Sequence, residues 1–99
     1  MDQQTALHLV YDAIDTANDL RRADDQIEKT PDEKLVGDGG RLDSLALATL
    51  LLAVERRVED ETGRSISILD ESAEDLEAQM SRLETPGALA ASVVAKLAQ

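Results

Sequence analysis

At 99 residues the chain has room for one domain, residues 1–99, and its 21 acidic against 10 basic side chains leave a net charge of −11. Such a surface repels phosphate backbones and anionic headgroups, which argues against nucleic-acid binding and polybasic membrane attachment. Cysteine is absent and His8 is the one histidine, which removes disulfides, thiol catalysis and Cys- or His-built metal centres.

The start of the chain lacks the basic, apolar and small-residue order of a secretory signal. The longest uncharged runs, Ser44–Val54 and Thr85–Ala95, are too short to span a bilayer. A soluble, cytoplasmic monomer is expected. Tyr11 is the one aromatic residue, so the core must be built from Leu, Ile, Val, Ala and Met. Aliphatic cores of this kind suit helices better than sandwiches or barrels.

The first helical pattern runs from about Gln3 to Arg22, with Leu7, Val10, Tyr11, Ile14 and Ala17 at steps of three and four. Asp2 or Thr5 can cap its start, and Arg21 and Arg22 suit its negative end. His8 reads as a surface or boundary imidazole with no ligand partner. From Ala23 to Leu42 the periodicity fades into a long loop that carries Pro31, three glycines and nine charges. A short helical turn is expected around Asp32–Leu35. Ile27, Leu35, Val36 and Leu42 are the residues able to anchor the loop.

A second helix begins at Asp43 or Ser44 and runs to about Thr62, with Gly63 as its stop. Ser65-Ile66-Ser67-Ile68 alternates, which predicts an extended stretch turning Ile66 and Ile68 inward. A third helix is predicted from Asp70 to about Leu83, with Ala73, Leu76, Met80 and Leu83 at helical spacing. Thr85-Pro86 opens a fourth, whose buried stripe is Leu89, Ala90, Val93, Val94 and Leu97. The predicted fold is all-α, a four-helix bundle with a long first loop.

Two features of the second helix carry functional information. Gly39-Gly40 permits a tight turn into it, and Asp43 can accept hydrogen bonds from its first free amides. Ser44 then stands on the first turn, at the positive end of the helix dipole, where a phosphodiester would be electrostatically tolerated. Moreover, Ser44 to Val54 carries no charge in a chain that is 31 % charged. Leu47, Leu50, Leu51, Val54 and Val58 form one apolar stripe, and Leu45, Ala48 and Leu52 form a second on another side. That second stripe is either covered by the Ala23–Leu42 loop or left free as a docking surface.

The segment Leu35-Val36-Gly37-Asp38-Gly39-Gly40-Arg41-Leu42-Asp43-Ser44-Leu45 resembles the phosphopantetheine-attachment region of acyl carrier proteins. The resemblance extends along the chain, through the long first loop, the Leu-rich second helix and the Thr-led last helix, and is weakest from Asp70 to Glu84. It is closest to free-standing carriers of specialised pathways. It implies that Ser44 receives 4′-phosphopantetheine from coenzyme A in a Mg²⁺-dependent reaction of a separate phosphopantetheinyl transferase. It further implies that Asp43 caps the helix and is read by the transferase, and that Leu45 is a docking contact. Ala48, Leu52 and Arg56 complete the expected docking set. The chain would then be no enzyme. It would present acyl groups, as thioesters on the cofactor's sulfur, to ligases and other enzymes of fatty-acid or polyketide synthesis.

The sequence also departs from the family. Carriers of primary fatty-acid synthesis have acidic residues along this helix, where Ala46 and Thr49 stand here. Arg56 and Arg57 occupy a turn that is usually acidic, and Ser65–Glu84 is longer than in compact members. These departures argue against a housekeeping fatty-acid role. Two other functions remain open: an aminoacyl or peptidyl carrier loaded by an adenylating ligase, and an unmodified helical interaction module. Aminoacyl carriers often have His before the serine, where Asp43 stands. Catalysis by Asp24 with Asp25, or Glu74 with Asp75, fails because adjacent helical residues point apart. Asp38 and Asp43 lack the spacing of an EF-hand calcium loop.

Overall fold

The computed structural model describes residues 1–36, 39–69, 78–79 and 82–98, and for Ser44 the backbone only. Among these residues the fold is all-α, with helices α1 (Gln3–Asn18), α2 (Ser44–Thr62) and α3 (Pro86–Leu97), plus a 3-10 turn at Ala23–Asp25. The predicted third helix, Asp70–Leu83, lies largely outside the described residues. Within it, 78–79 are helical and Leu83 is buried.

Local chemistry explains where each helix starts and stops. The Asp2 carboxylate accepts from the Thr5 amide at 2.8 Å and caps α1. Thr85 does the same for α3 through the Ala88 amide at 3.1 Å, with Pro86 at the first helical position, where a missing N–H costs nothing. Gly63 adopts a left-handed conformation, φ 72°, and returns its amide to the Glu59 carbonyl at 2.8 Å, which ends α2.

Helix α1 ends four residues before the expected Arg22. The chain tightens there into three-residue hydrogen bonds, Leu20 N–H to Ala17 O and Arg21 N–H to Asn18 O. Asn18, although polar, is buried. Its amide nitrogen donates to the Ile27 carbonyl at 2.9 Å and its oxygen accepts the Ile27 amide at 2.8 Å. A side chain that satisfies both backbone groups of a distant residue holds the loop where a further helical turn would have run.

One hydrophobic core serves all three helices. Helix α1 packs against both α2 and α3, so it buries a broader face than a single stripe. Ala6, Leu9, Val10, Ala13 and Ile14 are buried, whereas Leu7 and Tyr11 are only partly covered. The expected α2 stripe, Leu47, Leu50, Leu51, Val54 and Val58, is buried throughout, as are Leu89, Ala90 and Val93 of α3. Val94 and Leu97 pack at its edge.

The long loop is tied down by Ile27, Leu35 and Leu42, all buried in this core. The helical turn expected at Asp32–Leu35 does not form; only 31–32 turn. The reason lies in the backbone of Leu35. Its amide donates to the Glu84 carbonyl at 2.6 Å and its carbonyl accepts from Leu42 at 2.8 Å, so neither group is free for a helix. Ile66 and Ile68 turn inward from an extended stretch as the alternation predicts, with Ser65 and Ser67 exposed. The Ile68 amide is held by the Glu55 carboxylate at 2.8 Å. No described helix is long and apolar enough to cross a membrane.

Candidate functional site

The chain approaches α2 through a tight reversal. Leu42 donates back to the Leu35 carbonyl and forms a parallel bridge with Val36. Gly39 takes a left-handed φ of 83°, and a Cβ on Gly40 would lie 2.5 Å from the Val36 amide nitrogen. One glycine supplies the backbone angle and the other the close approach, so each is required for a different reason.

Asp43 is the N-cap of α2. Its side chain accepts the Ala46 amide at 2.7 Å and its carbonyl accepts Leu47 at 2.9 Å. Ser44 is therefore the first helical residue, beside the positive end of the helix dipole. Within the first turn itself no Asp, Glu, Lys or Arg stands beside Ser44; the nearest charge in the sequence is the Asp43 carboxylate, which already occupies the Ala46 amide.

Beyond Ser44 the second apolar stripe separates from the core. Leu45 keeps 77 % of its surface exposed and Leu52 65 %. Seven residues apart, they share one side of α2. Ala48, the third member, is half-buried. The loop dives into the core through Ile27, Leu35 and Leu42 and leaves both leucines uncovered. Arg56 is exposed one turn further along the same side.

Two clefts flank this ridge. One, of about 490 Å³, is lined by Thr16, Thr49, Leu52, Ala53, Arg56, Arg57 and Asp60. The other, of about 200 Å³, is lined by Leu52, Glu55, Arg56, Glu59, Ser65 and Ile66. Leu52 and Arg56 border both, so the two expected docking residues at this end of α2 sit on the crest between them. Arg57 spans the larger cleft, donating to the Thr16 hydroxyl of α1 at 2.7 Å.

Sequence reasoning did not include Arg57 or Thr16 in the site. Their meeting depends on the packing of α1 against α2 and leaves no local pattern. The unusual basic pair Arg56-Arg57 was the one available signal. His8 is exposed, with Tyr11 its ring neighbour at 6.4 Å between centroids. No protein-family model matches the chain, and no curated protein or solved structure matches it either.

Proposed function

We propose that the chain is an acyl carrier protein, carrying cargo on a 4′-phosphopantetheine arm attached to Ser44. The observation that carries this reading is the placement of Ser44 as the first residue of α2, between the capping Asp43 and the exposed Leu45. The group fits what is present. Asp43 turns its carboxylate to the Ala46 amide, which keeps the helix start ordered. The glycine turn brings no side chain larger than hydrogen at 39 and 40, and the helix end favours an attached phosphodiester. When bound, the arm would supply the thiol that this chain lacks.

In this reading the segment 70–83 completes a four-helix bundle, and the protein works in the cytoplasm as a non-catalytic partner. Leu45 and Leu52, with Ala48 between them and Arg56 beyond, form the docking surface for the transferase and for an acyl ligase of a specialised pathway. Their exposure on one side of α2 supports this, because a contiguous apolar surface left open beside a modified serine can serve as a partner contact. The absence of acidic side chains on this part of α2 favours such a pathway over housekeeping fatty-acid synthesis. The same ridge also favours a second reading, an interaction module that binds a partner helix with Ser44 unmodified. An aminoacyl cargo would use the same serine and differ only in the ligase.

Incubation with coenzyme A, Mg²⁺ and a broad-specificity phosphopantetheinyl transferase should add one phosphopantetheinyl group to the intact mass. The Ser44→Ala variant should gain nothing. A wild-type protein that is never modified, or a Ser44→Ala variant that still is, overturns the carrier reading and leaves the interaction module.

A further inference from the structure

The stretch before Ser44 is fastened to the end of α1 by a three-residue clamp. Arg21 donates through Nε to the Asp25 carbonyl at 2.7 Å and through Nη2 to the Asp25 Oδ2 at 2.8 Å. The same Nη2 reaches the Arg41 carbonyl at 3.2 Å. Arg41 in turn donates from Nη1 to the other Asp25 oxygen, Oδ1, at 3.2 Å. One carboxylate thus joins two guanidiniums, one following α1 and the other three residues ahead of the serine.

Exposed ion pairs contribute little, and Asp25 and Arg41 are each nearly half exposed. Arg21 is different. Its side chain is 18 % exposed, and it holds two backbone carbonyls as well as the carboxylate. Such charge-assisted bonds in a fixed fork specify geometry as well as attraction. Neighbouring contacts keep the clamp's base rigid. Asn18 grips Ile27 from one side, and Gln26 donates to the Asn18 carbonyl at 2.9 Å. Beyond Arg41, Leu42 is buried and Asp43 caps α2. The position of the Arg41 carbonyl therefore sets the line on which the chain enters the helix.

The geometry points to Arg21, Asp25 and Arg41 as positioning residues for the modification of Ser44, holding the 39–43 approach in the conformation a transferase reads. This rests on the carrier reading. A partner that recognises one loop conformation sees its apparent affinity divided by the fraction of molecules in that conformation. Loosening the clamp should thus raise KM for the carrier and leave kcat nearly unchanged.

The test compares wild type, Arg21→Gln, Asp25→Asn and the double variant, each at a temperature where circular dichroism shows it folded. Arg22→Gln serves as control, since the Arg22–Asp24 pair is 85 % and 75 % exposed and outside the clamp. Transferase kinetics should show KM raised about 3–10-fold in either single variant, as a competent fraction of roughly a third to a tenth requires. The double variant should be no worse, because both substitutions break one unit. Amide exchange at Arg41–Leu45 should accelerate in the same variants while Val54 and Val58 stay protected. Unchanged KM and unchanged exchange in Arg21→Gln, or equal effects from Arg22→Gln, overturn the clamp. A fall in kcat at constant KM overturns the positioning role. If wild type is never loaded, the carrier reading fails and the positioning role falls with it; the exchange measurement then decides the clamp alone.

Discussion

At the scale of single residues, neighbouring leucines on α2 have opposite environments. Leu50 and Leu51 are nearly sealed, at 2 % and 3 % exposure, while Leu52 is 65 % exposed. Leu50→Ala should cost about 2–5 kcal/mol through lost transfer energy and a cavity, whereas Leu52→Ala should stay within about 0.5 kcal/mol. Urea unfolding of both variants checks this, and equal losses would mean that Leu52 belongs to the core after all. In the carrier reading, loading efficiency should show the reverse order, falling in Leu52→Ala. Asn18 shows how little of this was visible beforehand. A lone polar residue at the end of an apolar stripe gives no sign that it will hold both backbone groups of Ile27.

At the scale of elements, capping decides where helices begin, and one cap is tied to pH. Hydrogen bonds from the Thr5 side chain, and then from its amide, hold the Asp2 carboxyl below its ordinary value of 3.8. They favour the charged form in the folded chain, so the contribution is complete above pH 3.8 and disappears as pH falls through the lower folded value. The first turn of α1 should loosen in that window. A titration of the Thr5 amide resonance should inflect below 3.8 in wild type, and Asp2→Ala should remove the inflection. An inflection that survives the substitution would assign it to another carboxylate. Helix ends were legible in advance wherever a cap lay next to the pattern, as at Asp43, Gly63 and Thr85. The end of α1 was not, because a residue nine positions away stops it.

At the scale of the whole molecule, the exposed apolar side of α2 is set apart from the acidic charge. The chain carries −11, yet the exposed ridge of α2 has no acidic residue from Ser44 to Val54. A partner that docks on Leu45 and Leu52 should meet mainly apolar contact, which salt does not screen, whereas exposed pairs lose reach beyond about 10 Å at 0.1 M ionic strength. In the carrier reading, transferase loading should therefore change only mildly across about 0.05–0.5 M salt, and Thr49→Glu should make it more salt-sensitive. Ala46, the other position where fatty-acid carriers are acidic, packs against the core and is no place for that test. A steep loss with salt in wild type, without any effect of Leu52→Ala, would move the docking surface to the acidic loop.

The amino-acid sequence by itself determined the helical class, the caps at Asp43 and Thr85, the stop at Gly63 and the full buried stripe of α2. Each of these depends on residues within a turn or two of one another, where periodicity and hydrogen-bonding chemistry act locally. It also singled out Ser44 and the second stripe, although it left open whether the loop would cover Leu45 and Leu52. Tertiary structure decided that question, along with the early end of α1, the missing turn at Asp32–Leu35 and the joining of Arg21, Asp25 and Arg41. These outcomes depend on which distant backbone groups find partners: Leu35 with Glu84, Ile27 with Asn18, Arg41 with Arg21. The buried amides and carbonyls of Leu35 and Ile27 must be satisfied wherever the chain brings them, and the more exposed Arg41 carbonyl meets Arg21 only because the packed helices bring the two segments together.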